Sequence, residues 1–420
     1  MKRQIKFFLL VFLLLTPVIT SCAGFISTDE ETSSGDFGPR YSPAEHQART
    51  LEALWQIFRD NYIYYETANV DWLSLSEKYN AKVDDGLTND EFIALMRSLE
   101  TELPEGSLVY QSRAERIESD TADTSTYEGI GAFVGFQAEE TPHIVVLGVI
   151  EGSPAEEAGI RPHDSIFEID GNPILLEEGI DVVKRVRGPA GSTVTLNVQT
   201  PGSAERVIEV TRAELVSRGQ LEARQIEGTK YGYILFPPIT YDTLLEDVLA
   251  NLQTFSTNQQ LEGLILDLRV AGSSAGWPLQ ELMTMFHNGL VGDFYNNVSQ
   301  KQTLRVNGQD LFGSQSVPLV VLVGQNTNGF PEILAASLQA NERAFVIGES
   351  TPGAVETATG FYLPDGSRVF IETTSFKLPN GDDIGLSGVQ PKYPVEAGWD
   401  DVIPGNDPVL DKALELLGTE

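Results

Sequence analysis

Apolar positions along the chain change period several times, and each change marks a new kind of element. Leu51, Leu54, Trp55, Phe58 and Tyr62 recur at helical spacing behind Ser42-Pro43-Ala44-Glu45, which reads as a capping box with proline at the first helical position. A second start, Thr88-Asn89-Asp90-Glu91, precedes Phe92, Leu95, Met96 and Leu99. Residues 42–126 therefore read as a small helical domain whose aromatic stripe is core. From Tyr127 to Ala213 the runs become short and strand-like. Gly129-Ile130-Gly131-Ala132 leads into Phe133-Val134-Gly135-Phe136. Ser153 and Glu156 then form a capping box around Pro154 in a short helix closed by Gly159, and Asp164 to Gly171 reads as a strand and turn.

Beyond Tyr231 the pattern is that of an α/β core. Leu244, Leu245, Val248, Leu249 and Leu252 mark an amphipathic helix, and Gly263 to Leu268 a buried strand, which together predict a parallel crossover unit. Leu319 to Val323 is a continuous apolar run of strand length. It passes through the amide- and glycine-rich Gly324 to Gly329 into a helix start, where Pro331 and Glu332 suit the positive end of the helix. Such strand–loop–helix junctions carry nucleophiles and oxyanion holes in many α/β enzymes, although by itself this one reads as an ordinary βα unit. Pro364-Asp365-Gly366 and Pro379-Asn380-Gly381 predict hairpin turns. Asp407 to Leu417 predicts a terminal helix with Leu410, Ala413, Leu414 and Leu417 inward.

Composition narrows the partners. Lys+Arg number 28 against Asp+Glu 61, a net charge of −33, which argues against nucleic acid, since that requires basic patches. Lys2, Arg3 and Lys6 precede an apolar stretch from Phe7 to Leu15 that is too short to span a bilayer, the layout of a secretion signal. Ile19-Thr20-Ser21-Cys22 then resembles a bacterial lipobox, so lipidation of Cys22 and attachment to the cell envelope are expected. A soluble product of ordinary signal cleavage is the alternative. Cys22 is the only cysteine, which excludes an intramolecular disulfide. Ala23 to Tyr41 reads as a tether between lipid and globule. The four histidines, His46, His143, His163 and His287, show no triad or metal spacing, and no metal or cofactor is expected.

The flanks of the Leu319–Ala335 stretch carry a family resemblance. Gly263-Leu264-Ile265-Leu266-Asp267-Leu268-Arg269 stands upstream and Arg343 to Gly353 downstream, with a segment like a PDZ domain before both. The whole resembles the carboxy-terminal processing, or tail-specific, serine proteases. The resemblance implies a multi-domain α/β protein: a helical N-terminal domain (42–126), a PDZ β-sandwich-like domain (127–213) and a crotonase-like ββα protease core with a mainly parallel sheet (214–420). It implies that Gly129, Ile130, Gly131 and Ala132 form a carboxylate-binding loop for protein C-terminal tails, although a PDZ module can also persist as scaffold. Asp267, Arg269, Glu332 and Glu349 match family positions and are expected to be structural.

In that family a serine in a small-residue loop is the nucleophile and a lysine in a Gly-Lys-Gly turn is its base. Anchoring on Glu332 places the nucleophile position at Gly329 and the base position at Ala354, and the assisting glutamine falls at Ala358. Ser273 and Ser274 stand where the oxyanion-loop glycines belong. Phe330 and Pro331 replace small residues and are expected to restrict the turn. No catalytic residue is therefore assigned. Thr327 and Ser350 offer alternative hydroxyls, read in the first place as turn ligands. Two functions remain open: a non-hydrolytic, envelope-anchored binder of protein tails, and an active serine endopeptidase with a rewired site.

Overall fold

In a computed structural model of the chain, the described residues are 41–418 except 105, 122–125, 139–140, 217–218, 259–260 and 274–275; the signal segment, Cys22 and Ser274 lie outside them. The first helices are α1 (Pro43–Asn61), α2 (Trp72–Lys82) and α3 (Asn89–Glu102). Thr88 caps α3: its hydroxyl accepts from the Glu91 N–H at 3.3 Å, and the Glu91 carboxylate accepts from the Thr88 N–H at 2.9 Å. The apolar stripes of α1 and α3 are buried in one cluster with Leu108 and Tyr110 of β1 (Leu108–Gln111). Helix α4 (Arg113–Thr121) follows.

The second region holds β2 (Thr126–Gly129), β3 (Ala132–Gln137), β4 (His143–Val149), α5 (Pro154–Glu157), β5 (Ser165–Ile169), β6 (Asn172–Pro173), α6 (Val183–Val186), β7 (Thr193–Gln199), β8 (Arg206–Thr211) and β9 (Ala213–Val216). Its main sheet runs β3-β4-β5-β7-β8, so β3 is an edge strand, while β2 pairs with β9. Alternation along β3 divides its side chains between two cores. Ala132, Val134 and Phe136 pack on the domain's own interior, whereas Phe133 joins Val145, Leu147, Val270 and Trp399 in a cluster against the rest of the protein.

The remainder comprises β10 (Glu222–Gln225), β11 (Tyr231–Leu235), α7 (Leu244–Asn258), β12 (Gly263–Asp267), α8 (Leu279–Phe286), β13 (Gly289–Asn296), β14 (Lys301–Val306), β15 (Leu319–Val323), α9 (Phe330–Ala340), β16 (Phe345–Gly348), β17 (Thr357–Tyr362), β18 (Arg368–Lys377), α10 (Ile384–Ser387), β19 (Tyr393–Pro394) and α11 (Pro408–Leu417). The core sheet has the order β10-β11-β12-β15-β16-β19 and is parallel from β11 onward. Every residue of β12 and β15 is buried, because α7, α8 and α9 cover one face of the sheet and α11 the other. A second sheet, β1-β18-β13-β14 with β17 on β18, takes its edge strand from the N-terminal region through pairs such as Leu108↔Ile371. Pro364-Asp365-Gly366 closes the β17–β18 hairpin as expected. Pro379-Asn380-Gly381 does not close a second one. It lies in a tight loop where the Leu378 N–H donates to the Asp382 carbonyl at 2.9 Å, with a single bridge from Lys377 to Asp383.

The PDZ-like sheet packs on the core, and two of the four histidines sit at the seam. The Trp399 indole N–H donates to the Val146 carbonyl at 3.1 Å, and the Trp399 carbonyl is 2.6 Å from His163 Nδ1. His143 Nε2 meets Asp400 Oδ2 at 2.8 Å. Burial pulls the His143 imidazole down, but its bonds to Asp400 and to the Thr141 carbonyl outweigh this and hold its pKa above the ordinary 6.5. Burial likewise works against the Asp400 carboxylate, which its bond to His143 holds below the ordinary 3.8. The imidazole contribution is complete below its unfolded pKa and lost as pH rises through the raised value. The carboxylate contribution is lost as pH falls through the depressed one. The His143–Asp400 pair is thus strongest in mildly acidic solution, whereas burial lowers the pKa of His163 at the same seam, so that its contribution is lost as pH falls. His143→Gln is expected to speed amide exchange in β4 and residues 399–401 at about pH 6, with the difference shrinking at about pH 9; an effect equal at both pH values would exclude a charged pair.

Candidate functional site

Three loops meet at the carboxyl ends of β12, β15 and β16. The Thr327 hydroxyl closes the loop after β15, accepting from the Gly324 N–H at 3.0 Å and donating to the Leu268 carbonyl at 2.8 Å. The Asn328 N–H donates to the Ala271 carbonyl at 3.1 Å, which fastens this loop beside the one leaving β12. Glu332, fully buried in the first turn of α9, accepts from the Gly329 N–H at 2.9 Å, from the Gly353 N–H at 2.7 Å and from the Thr351 hydroxyl. Burial raises its pKa against the pull of those donors. Glu332 therefore ties the loops after β15 and β16 together and is shut off from solvent.

At the centre stands Gly329, with φ +72° and ψ −131°, a conformation that penalises any side chain. A β-carbon built there would lie 2.0 Å from Ser273 Oγ and 3.7 Å from the Ala354 carbonyl oxygen. The position assigned by resemblance to the nucleophile thus lies beside the backbone of the position assigned to the base, and the Ser273 hydroxyl fills the space where a side chain at 329 would begin. Ser273 Oγ also accepts from the Phe330 N–H at 3.2 Å, so it takes up a donor at the N-terminus of α9. The Phe330 ring packs between Trp277 and Phe294, each 6.4 Å away, within the apolar core cluster. The obstruction at the turn is consequently Ser273 and not, as expected from sequence, Phe330.

Asp267 and Arg269 form a buried fork. The Arg269 guanidinium donates from Nε to Asp267 Oδ1 at 3.0 Å and from Nη2 to Oδ2 at 2.6 Å. Its Nη1 and Nη2 reach the two oxygens of Asp407 at 3.0 and 2.8 Å, and Tyr233 donates to Asp267 at 2.7 Å. The guanidinium also lies 5.0 Å from the Trp399 ring, which connects the core to the PDZ seam. Glu349 follows β16 and lines a cavity at that seam. The Ser350 hydroxyl donates to Gln390 Oε1 at 2.8 Å, and Thr351 donates to Glu332 and accepts from the Val389 N–H at 2.8 Å. Ser165 shares Asp400 with His143, but its hydroxyl points to the carboxylate at 3.4 Å and not to the imidazole.

In the PDZ-like region the Ile130 carbonyl accepts from the Ala155 N–H at 2.8 Å and the Gly131 carbonyl from the Ile150 N–H at 2.9 Å. Peptide bonds here are trans, so the N–H groups of Gly131 and Ala132 point the opposite way, toward the free edge of β3. Gly131 has φ +87°, and a β-carbon there would meet Ser153 Cβ at 2.3 Å, so only glycine fits. Gly135 on the same strand is bare for a comparable reason: a β-carbon would fall 2.1 Å from Asn326 Oδ1. The edge strand thus runs directly over the loop that ends at Gly329.

Sequence reading missed a half-buried acid cluster beyond Ala354. Tyr64 donates to Glu356 and lies 3.3 Å from Ser375 Oγ, and the Ile63 N–H donates to the Glu372 carbonyl at 3.0 Å. Burial, reinforced by the Glu356 charge, pushes the Glu372 carboxyl up to about 7. These residues come from three distant segments, and no local signal links them.

A helical region, a PDZ module and a parallel α/β core with its loops converging at strand ends define the architecture of a PDZ-bearing serine-peptidase fold. Peptidase family S41 matches residues 230–395, a PDZ domain residues 145–200, and the tricorn protease C1 domain residues 43–99. A carboxyl-terminal-processing protease of Picosynechococcus sp. is 33% identical over 305 residues, covering 68% of this chain and 67% of the relative. The corresponding protease of Synechocystis sp. is 28% identical over 387 residues, covering 89% and 87%. The structure of a photosystem II D1 C-terminal processing protease superposes with a TM-score of 0.64 at 23% identity over 89% of this chain and 97% of that one, a likeness of fold. The chain belongs to the carboxyl-terminal-processing protease family, peptidase family S41.

Proposed function

We propose that the protein binds the C-terminal tails of other proteins through Gly129, Ile130, Gly131 and Ala132 and does not hydrolyse them. The observation that carries the reading is the meeting of Gly329, Ala354 and Ser273. A serine–lysine dyad needs both members within hydrogen-bond reach, and here the two neighbouring positions carry a hydrogen and a methyl group. The cleft hydroxyls of Thr327, Ser350 and Thr351 are engaged with carbonyl, amide and carboxylate partners, as turn ligands are. The relatives named as processing proteases supply the tail as ligand class, and the outward N–H groups of Gly131 and Ala132 supply an anion nest for its carboxylate. The reading extends to the envelope: Cys22 becomes the lipidated N-terminus of a chain exported across the cytoplasmic membrane, which a mass of the mature N-terminal peptide without acyl chains would refute.

Titration of the purified protein with apolar-tailed peptides bearing free or amidated C-termini tests the binding. Affinity near micromolar is expected for the free form, about −8 kcal/mol, with loss on amidation. Equal binding of the two forms, or cleavage of either peptide that disappears in Thr327→Ala or Ser350→Ala, would replace this reading by scaffold or by rewired protease respectively.

A further inference from the structure

We propose that a cavity at the PDZ–core seam takes a basic side chain of the bound tail, several residues upstream of its apolar end. This inference rests on the tail-binding reading. The cavity, about 540 Å³, opens beside Gln137 at the end of β3 and is bounded by Gln325, Glu349, Asp400 and Asp401.

Topology and register bring a ligand to it. Gln325 and Glu349 lie just beyond the carboxyl ends of β15 and β16, and open parallel sheets bind their ligands in the crevice outside those ends. A tail with its carboxylate at Gly131 can add to the free edge of β3 only antiparallel, with its upstream residues running toward Gln137. At about 3.4 Å per residue, the length of β3 is spanned by roughly six residues of the tail. The fifth to seventh residues from the end therefore arrive at the cavity mouth.

Charge decides what enters. Among the described residues that line the cavity, three are carboxylates and none is lysine or arginine. His143 is committed to Asp400. Asp401 accepts the Gly398 N–H at 2.8 Å, and a carboxylate has about four acceptor positions. The neighbouring Gln137 and Gln325 add amide oxygens without charge. An ammonium or guanidinium finds acceptors there, and an acidic side chain is repelled by the cavity and by the −33 charge of the whole chain.

The test uses the full mature chain and peptides that share one apolar free C-terminus, carrying Arg, Ala or Glu at the fifth, sixth or seventh residue from the end. Fluorescence anisotropy should rank Arg above Ala above Glu, with about fivefold between Arg and Ala at low salt. The advantage should fade at about 0.5 M salt. Asp401→Asn should abolish it while the Ala peptide keeps wild-type affinity, and Glu349→Gln provides the same comparison independently. Equal affinity for the three peptides in wild type, with the Ala peptide still bound, overturns the role of the cavity and leaves tail binding standing. Failure of every peptide to bind removes the tail reading and this inference together.

Discussion

Gly329→Ser combined with Ala354→Lys is expected to yield no peptide hydrolysis, and addition of Ser273→Gly is expected to start it. The reason is steric before it is chemical. A serine at 329 would place its β-carbon 2.0 Å from Ser273 Oγ and 3.2 Å from Ser273 Cβ, so the Ser273 hydroxyl must swing aside and crowds the new one away from an attacking position. Ser273 also occupies the Phe330 N–H, a donor that a tetrahedral oxyanion would need. Removing its side chain relieves both constraints, whereas Phe330 can stay, since its ring lies within the Trp277 and Phe294 cluster. Once a base reaches the nucleophile, an acceleration of about 10²-fold or more over the double variant is expected. Cleavage of an unstructured protein and labelling by a serine-reactive fluorophosphonate are the readouts. A double variant as active as the triple one would show that Ser273 is no obstacle. A correctly folded triple variant without labelling would show that the loops no longer align the two positions.

The second large effect concerns stability. Arg269→Ala is expected to cost about 3–5 kcal/mol, because it leaves Asp267 fully buried without its counter-ion and uncouples Asp407 at the start of α11. Arg269→Lys should cost less but remain destabilising, since one ammonium cannot reproduce the fork to two carboxylates. Urea unfolding reads the loss, and amide exchange at residues 399–401 reads the loosening of the seam through Trp399. A change below about 1 kcal/mol for Arg269→Ala would mean that the carboxylates find other partners or water.

Period and capping were enough to read much of this architecture. The stripes of α1 and α3 and the Thr88–Glu91 box are local, and β12 and β15 are legible because strands buried on both faces carry unbroken apolar runs. The β13–β14 hairpin was missed: its half-exposed residues alternate weakly, and its place is set by pairing with β18, far along the chain. The site divides in the same way. Gly329 and Ala354 were located by register with a family pattern. Ser273 was noticed only as a replaced glycine, because nothing in a sequence says that its hydroxyl sits over Gly329. The seam of His143, His163, Trp399 and Asp400 was illegible, since it joins residues more than 200 positions apart that share no period.

The pairing of β1 with β18 has a consequence for how the chain is made. Leu108 waits for Ile371, so a strand made more than 250 residues ahead of its partner is left unpaired meanwhile. Long-range pairing of this kind slows folding and leaves apolar surface uncovered meanwhile. The cluster of Leu51, Leu54, Phe58 and Tyr62 gains most of its cover from α2 and α3 but its last wall, Leu363, Val369 and Ile371, only late in synthesis, which makes a prematurely terminated chain a substrate for degradation.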